Sequence, residues 1–105
     1  MAESLDAGLK QRITAVLSRP VVTEVELRKL TEEGRVSALI LGTRLEQAER
    51  LLSELSSEPD NSLAQIAAAL RDVNDLWSRL EELEQTLEAL DRRARELRTA
   101  WLSAS

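Results

Sequence analysis

The chain has 105 residues, 43 % of them hydrophobic and 31 % charged, and a net charge of −5. It contains no Cys and no His, which excludes disulfides, thiolate metal sites, cysteine nucleophiles and the commonest general base and metal ligand. The acidic balance weighs against a default affinity for DNA, RNA or anionic lipid.

A chain of this length holds one domain at most, so a single helical domain over 1–105 is expected. Trp77 and Trp101 are its only aromatic residues. Compact globular cores usually contain several rings, so a bundle with a leucine seam fits better. The opening MAESLDAGLKQR carries acids and no apolar core, which is not the pattern of a signal peptide. No apolar run approaches the length of a membrane span. The expected setting is soluble and cytoplasmic, with a nuclear location left open.

In chain order, residues 4–18 place Leu5, Leu9, Ile13 and Val16 or Leu17 at steps of about four. That spacing predicts a short helix with one narrow apolar stripe and Ser4 as candidate N-cap. Gly8 weakens it by roughly 1 kcal/mol relative to Ala. A helix this short is marginal alone and should be ordered only when docked.

Pro20 breaks the pattern, because it disfavours helical geometry in the residue before it. Thr23 with Glu26 forms a capping box, and Val22 can staple onto Leu27. The second helix is predicted over 24–57, with a seam of Leu27, Leu30, Gly34, Ala38, Leu41, Leu45, Ala48, Leu52 and Leu55. Its steps average about 3.5, the repeat of supercoiled helices. Gly34 and Gly42 inside it are either tolerated weaknesses or points of close helix approach.

A turn is predicted over 58–61, and Ser62 with Gln65 makes a second capping box, with Asp60 adding negative charge at the new helix's positive end. The third helix is predicted over 62–102. Its seam is expected at Leu63, Ile66, Leu70, Val73, Trp77, Leu80, Leu83, Leu87, Leu90, Ala94, Leu97 and Trp101. At 1.5 Å per residue this is a rod of roughly 60 Å, which needs a partner to bury its stripe. The last residues, 103–105, read as frayed. Two long helices joined by a short turn must be antiparallel neighbours.

Placing Leu55 beside Leu63 makes facing residue numbers sum to about 118. Trp77 would then lie beside Leu41 and Gly42, where the missing side chain leaves room for an indole. Glu24 and Glu26 would face Arg92, Arg93 and Arg95, with Arg28 near Glu88 and Arg35 near Glu81, Glu82 and Glu84. Trp101 would reach Leu17 and the Pro20 joint.

Val36, Leu39 and Ile40 widen the second helix's apolar face beyond a seam, and Ile66, Ala69, Leu76 and Leu83 do so on the third. A stripe this wide contacts two neighbours rather than one. The first helix could fold back to complete a three-helix bundle. Alternatively, a second hairpin could complete four helices, or another protein's helices could cover the gap. The residues expected at a partner interface are Val36, Leu39, Ile40, Leu76, Leu83 and Trp101.

No catalytic constellation is present. Glu32-Glu33, Glu81-Glu82-Glu84 and the pair Glu46 and Glu49 read as solvated helix faces. A di-iron bundle needs Glu-x-x-His pairs, and the isolated glycines make no phosphate loop. The Arg92, Arg93, Arg95 and Arg98 cluster suits the end of a helix. No motif identifies a family. The sequence is therefore expected to be all-α: an antiparallel coiled-coil hairpin preceded by a short helix, without enzymatic activity, cofactor, metal or small-molecule substrate. Its expected role is a coiled-coil interaction or assembly subunit, with partners that are protein helices, through self-association or a heteromeric coiled coil. The alternative is an adaptor or chaperone-like module that holds a client helix in an apolar groove.

Overall fold

The computed structural model describes residues 2–104, with side chains described for 8–103. Three helices account for nearly all of them: α1 (Ala2–Ser18), α2 (Glu24–Ser57) and α3 (Leu63–Ala104). No strand occurs among the described residues, and none of the helices is long and apolar enough to cross a membrane. The fold is all-α, with α2 and α3 packed as a hairpin behind a short N-terminal helix. The side chains of Ser4 and Leu5, the expected cap and first stripe residue of α1, lie outside the described residues, and so does Ser105. Residues 103 and 104 continue α3 rather than fraying, since no Pro or Gly follows Ser62 to stop it.

Local hydrogen bonds explain the helix ends. At α2 the Thr23 N–H donates to Glu26 Oε2 at 3.0 Å, and the Glu26 N–H donates to Thr23 Oγ1 at 3.1 Å. At α3 the Ser62 N–H donates to Gln65 Oε1 at 3.4 Å and the Gln65 N–H to Ser62 Oγ at 3.2 Å. Both are reciprocal capping boxes. The Asn61 amide donates to the Leu55 carbonyl at 3.2 Å, satisfying one of the open acceptors at the end of α2.

The chain divides into two compact units, Met1–Ser37 with Leu83–Ser105, and Ala38–Glu82. The first unit has a three-helix core. Leu9, Ile13 and Val16 of α1 are buried with Val22, Leu27, Leu30 and Leu90, and Leu17, Leu83, Leu87, Ala94 and Leu97 pack against them. Thus α1 does fold back, onto this part of the hairpin. Arg12 pairs with Glu33, and Arg19 with Glu26 at 3.1 Å, along the line where α1 meets α2. The second unit consists of the two remaining helical arms and the turn. Only Leu41, Leu45 and Ala69 are buried in it.

All nine residues of the expected α2 seam are buried or half-buried. The α3 seam differs from expectation. It runs Ile66, Ala69, Val73, Leu76, Leu80, Leu83, Leu87, Leu90, Ala94 and Leu97, all buried or half-buried. Leu63, Leu70, Trp77 and Trp101 are exposed. In the first unit Leu87 lies against Gly34, so facing residue numbers sum to 121 rather than 118. Glu24 accordingly pairs with Arg98 at 3.7 Å, not with Arg92, Arg93 or Arg95. Glu26 is held by Thr23 and Arg19, Arg35 acts on Asp91, and Arg28 shares a cleft with Asp91. In the second unit, pairing the covered residues outward from the turn matches Leu55 with Ile66, Leu52 with Ala69 and Leu45 with Leu76, the same sum.

The physical cause lies in the turn and in the step pattern. Ser62 is used as a cap, so Leu63 stands in the first turn of α3 and the seam begins at Ile66. From there steps of three and four must alternate for the stripe to keep facing its partner. The expected seam followed the bulkier Leu70 and Trp77, which forces two consecutive steps of three before Leu83. The shift amounts to three residues, roughly 4.5 Å along the axis. Trp101 lines a cleft with Val22, Glu24 and Leu97, just after the Pro20 joint.

The glycines separate cleanly. A Cβ at Gly34 would overlap Leu87 Cδ2, whereas one at Gly42 meets nothing within 4 Å. Gly42→Ala should therefore stabilise the chain by about 0.5–1 kcal/mol through helix propensity. Gly34→Ala should fall short of that by about 1 kcal/mol or more, because a half-buried Leu87 has to move. Urea unfolding midpoints of the two variants check this, and equal gains would remove the close approach at Gly34.

Candidate functional site: an apolar flank of the hairpin

Contacts in the first unit define two flanks of a hairpin of this register. Residues just after seam positions, Thr31 and Asp91, share one cleft with Glu24 and Arg98. Residues just before seam positions, Glu26 and Glu33, face α1, and Arg93 donates to the Pro20 carbonyl at 3.2 Å. In the second unit the same spacing assigns Leu70 and Trp77, which follow Ala69 and Leu76, to the first kind of flank. Leu63, seven residues earlier, falls in line with them. Facing them on α2 are Gly42, Glu49 and Ser56, which follow Leu41, Ala48 and Leu55. Leu39 and Glu46 stand one helical turn before Gly42 and Glu49, on the outer edge of the same flank.

This flank is largely uncovered. Leu63 is 83 % exposed, Leu39 73 %, Trp77 55 % and Leu70 47 %. The next members of the same seven-residue series on α3, Glu84, Asp91 and Arg98, are charged. A two-helix unit has no third element to lay over such a stripe, so it stays wet.

Of the six residues expected at an interface, Leu39, Ile40 and Leu76 belong to the second unit and Val36, Leu83 and Trp101 to the first. Leu39 is exposed on the flank just described. Ile40 is exposed, and it precedes the seam residue Leu41 as Leu51 precedes Leu52, which assigns both to the opposite flank. Leu76 is half-buried in the hairpin seam, and Leu83 packs against the core of the first unit. Val36 is exposed, and Trp101 is 75 % exposed beside Leu97 and Leu102. Leu63, Leu70 and Trp77 were expected in the seam because of their size, with a partner-facing anchor as the alternative reading of Trp77. Their common spacing of seven, with Leu70 and Trp77 one place after the seam residues Ala69 and Leu76, was the available signal.

Polar chemistry is not assembled anywhere among the described residues. No group of three or more Asp or Glu is placed to hold a metal, and no polar or charged residue is buried. Three of the four clustered arginines on α3 have acidic partners: Arg95 with Asp91, Arg98 with Glu24 of α2, and Arg93 with Glu96 at 3.6 Å. The Arg95 hydrogen bond, then the charges of Arg98 and Arg35, hold the Asp91 carboxyl below its ordinary 3.8. Glu26 is held below its ordinary 4.5 chiefly by the Thr23 backbone N–H and then by Arg19.

No family model matches the sequence, and neither a curated protein nor a solved structure shows significant similarity to it. Function is therefore to be read from the site itself.

The Glu26 contacts carry a pH signature. A depressed folded value means that their stabilisation is present above the ordinary 4.5 and is lost as pH falls through the lower folded value. Glu26→Gln should melt below the parent chain at pH 7, and the gap should close toward about pH 3. Melting curves by circular dichroism at both pH values check the sign.

Proposed function

We propose that the chain is a non-enzymatic helical interaction module, which docks a protein helix on the apolar flank of its hairpin as a subunit of a larger assembly. The observation that carries this reading is the stripe of Leu63, Leu70 and Trp77, exposed on a unit of only two helices. A further helix laid on it would complete a bundle core, the commonest way to cover such a stripe. Burying a leucine fully is worth roughly 1.5–3 kcal/mol, and a ring of indole size contributes more area still. The stripe is therefore large enough to anchor a partner and, being outside the seam, dispensable for the hairpin.

The test separates those two properties. Leu70→Gln combined with Trp77→Gln should leave helicity and the unfolding midpoint close to those of the parent. The same pair should weaken association by roughly 3 kcal/mol or more. A photoreactive residue at position 77 should crosslink to helical segments when the chain is in its native host, with a solvent-face control at Glu54 giving far less. Equal yields at the two positions would sink the reading, and so would a double variant that unfolds as readily as Leu41→Gln.

A further inference from the structure

The charge of the chain is divided unevenly between its two units, and the division points to the occupant of the apolar flank. The unit Met1–Ser37 with Leu83–Ser105 carries ten Lys or Arg and ten Asp or Glu, a net charge of zero. The unit Ala38–Glu82 carries four Arg and nine Asp or Glu, a net charge of −5. The whole acidity of the protein therefore resides on the unit with the uncovered stripe.

Within that unit acids stand on both flanks, Glu54, Asp72, Asp75 and Glu82 preceding seam residues as Arg44 and Arg79 do, whereas the arginines avoid the flank that bears the stripe. Glu46 and Glu49 of α2 edge the stripe on one side, and Glu81, one turn beyond Trp77 on α3, edges it on the other. Of the four arginines, Arg44 and Arg79 immediately precede the seam residues Leu45 and Leu80, which puts them on the opposite flank. Arg79 is moreover paired with Asp75 at 3.6 Å. Arg50 and Arg71 stand one residue beyond the flank positions, on the outer surfaces of their helices. The flank is thus apolar along its middle and acidic at its rim. Gly42 leaves its floor open, since nothing comes within 4 Å of where a side chain would begin.

We infer that this flank takes a cationic amphipathic helix of another protein, with Leu-type residues at helical spacing for the stripe and Lys or Arg beside them for Glu46, Glu49 and Glu81. The inference rests on the helix-docking reading above and adds the chemistry of the partner. A second copy of the chain fits worse, because it would bring two units of −5 together with acids at both rims. An anionic lipid surface or a nucleic acid meets the same repulsion. Exposed charges of this kind act mainly on selectivity, association rate and salt dependence.

The experiment uses the full chain with Trp101→Phe, so that Trp77 is the single fluorophore. The probes are two synthetic helical peptides of about 18 residues with identical leucine positions, one with Lys and Arg on the flanks and one with Glu. The basic peptide should shift Trp77 emission to the blue and bind at least about tenfold more tightly than the acidic one at low salt, the ratio shrinking as salt rises. Glu46→Gln with Glu49→Gln should reduce that ratio about threefold or more while leaving helicity unchanged. Equal binding of both peptides would overturn the charge inference and leave helix docking standing. If neither binds and the chain sediments as a dimer that Trp77→Gln dissociates, the occupant is a second copy and the inference is wrong. If neither binds and the chain is monomeric with Trp77 silent, the docking reading falls with it.

Discussion

Leu87 lies against the bare backbone of α2 at Gly34, and this contact holds the register on which the rest of the structure depends. A side chain on residue 34 would overlap Leu87 Cδ2, which would have to move aside. With the register set, steps of three and four alternate along α3 without interruption, and each apolar residue is assigned either to the seam or to its edge. Leu76 goes in and Trp77 goes out, although the indole is larger. A packed helix pair selects by position before it selects by size.

The two units solve the same packing problem with different numbers of helices. In the first, α1 supplies Leu9, Ile13 and Val16 to a core that fully buries Leu90 and nearly so Leu27. In the second, two arms and a turn bury only Leu41, Leu45 and Ala69. Burial per residue falls as a unit gets thinner, and a hairpin alone leaves one side of each helix in water. The boundary at residues 37 and 38 also falls where the α2 stripe takes two successive steps of four, through Gly34 to Ala38.

Much of the fold was legible in the sequence because its signals are local. The two capping boxes, the break at Pro20 and the turn before Ser62 each involve a few adjacent residues whose hydrogen bonding is decided by their own side chains. The α2 seam was legible because one unbroken run of three- and four-residue steps links Leu27 to Leu55, even though Leu39, Ile40 and Leu51 stand beside it. The α3 seam was not, because Ala69 competes with Leu70 and Leu76 with Trp77, and hydrophobicity alone favours the wrong member or neither. The deciding information lies in the partner helix, at Gly34, and in the use of Ser62 as a cap. The same ambiguity hid the candidate site, since a residue placed in the seam is not sought on the surface. Leu39 was legible as exposed because the regular steps through Gly34, Ala38 and Leu41 leave it beside the seam.

An exposed stripe of Leu and Trp is ordinarily an invitation to self-association. Concentrating the net charge of −5 on the unit that bears the stripe opposes that outcome, since like charges at a rim penalise the pairing of two copies. The same rim lowers the barrier for a helix of opposite sign. Apolar contact supplies affinity that is nearly blind to partner identity, whereas the acids at Glu46, Glu49 and Glu81 discriminate among helices of similar hydrophobicity. Placing the arginines of this unit on the other flank and on outer surfaces is what keeps that discrimination from cancelling. Exchanging Glu49 with Arg44 would leave composition and net charge untouched, yet it would put a cation beside the stripe and remove the asymmetry on which selectivity depends.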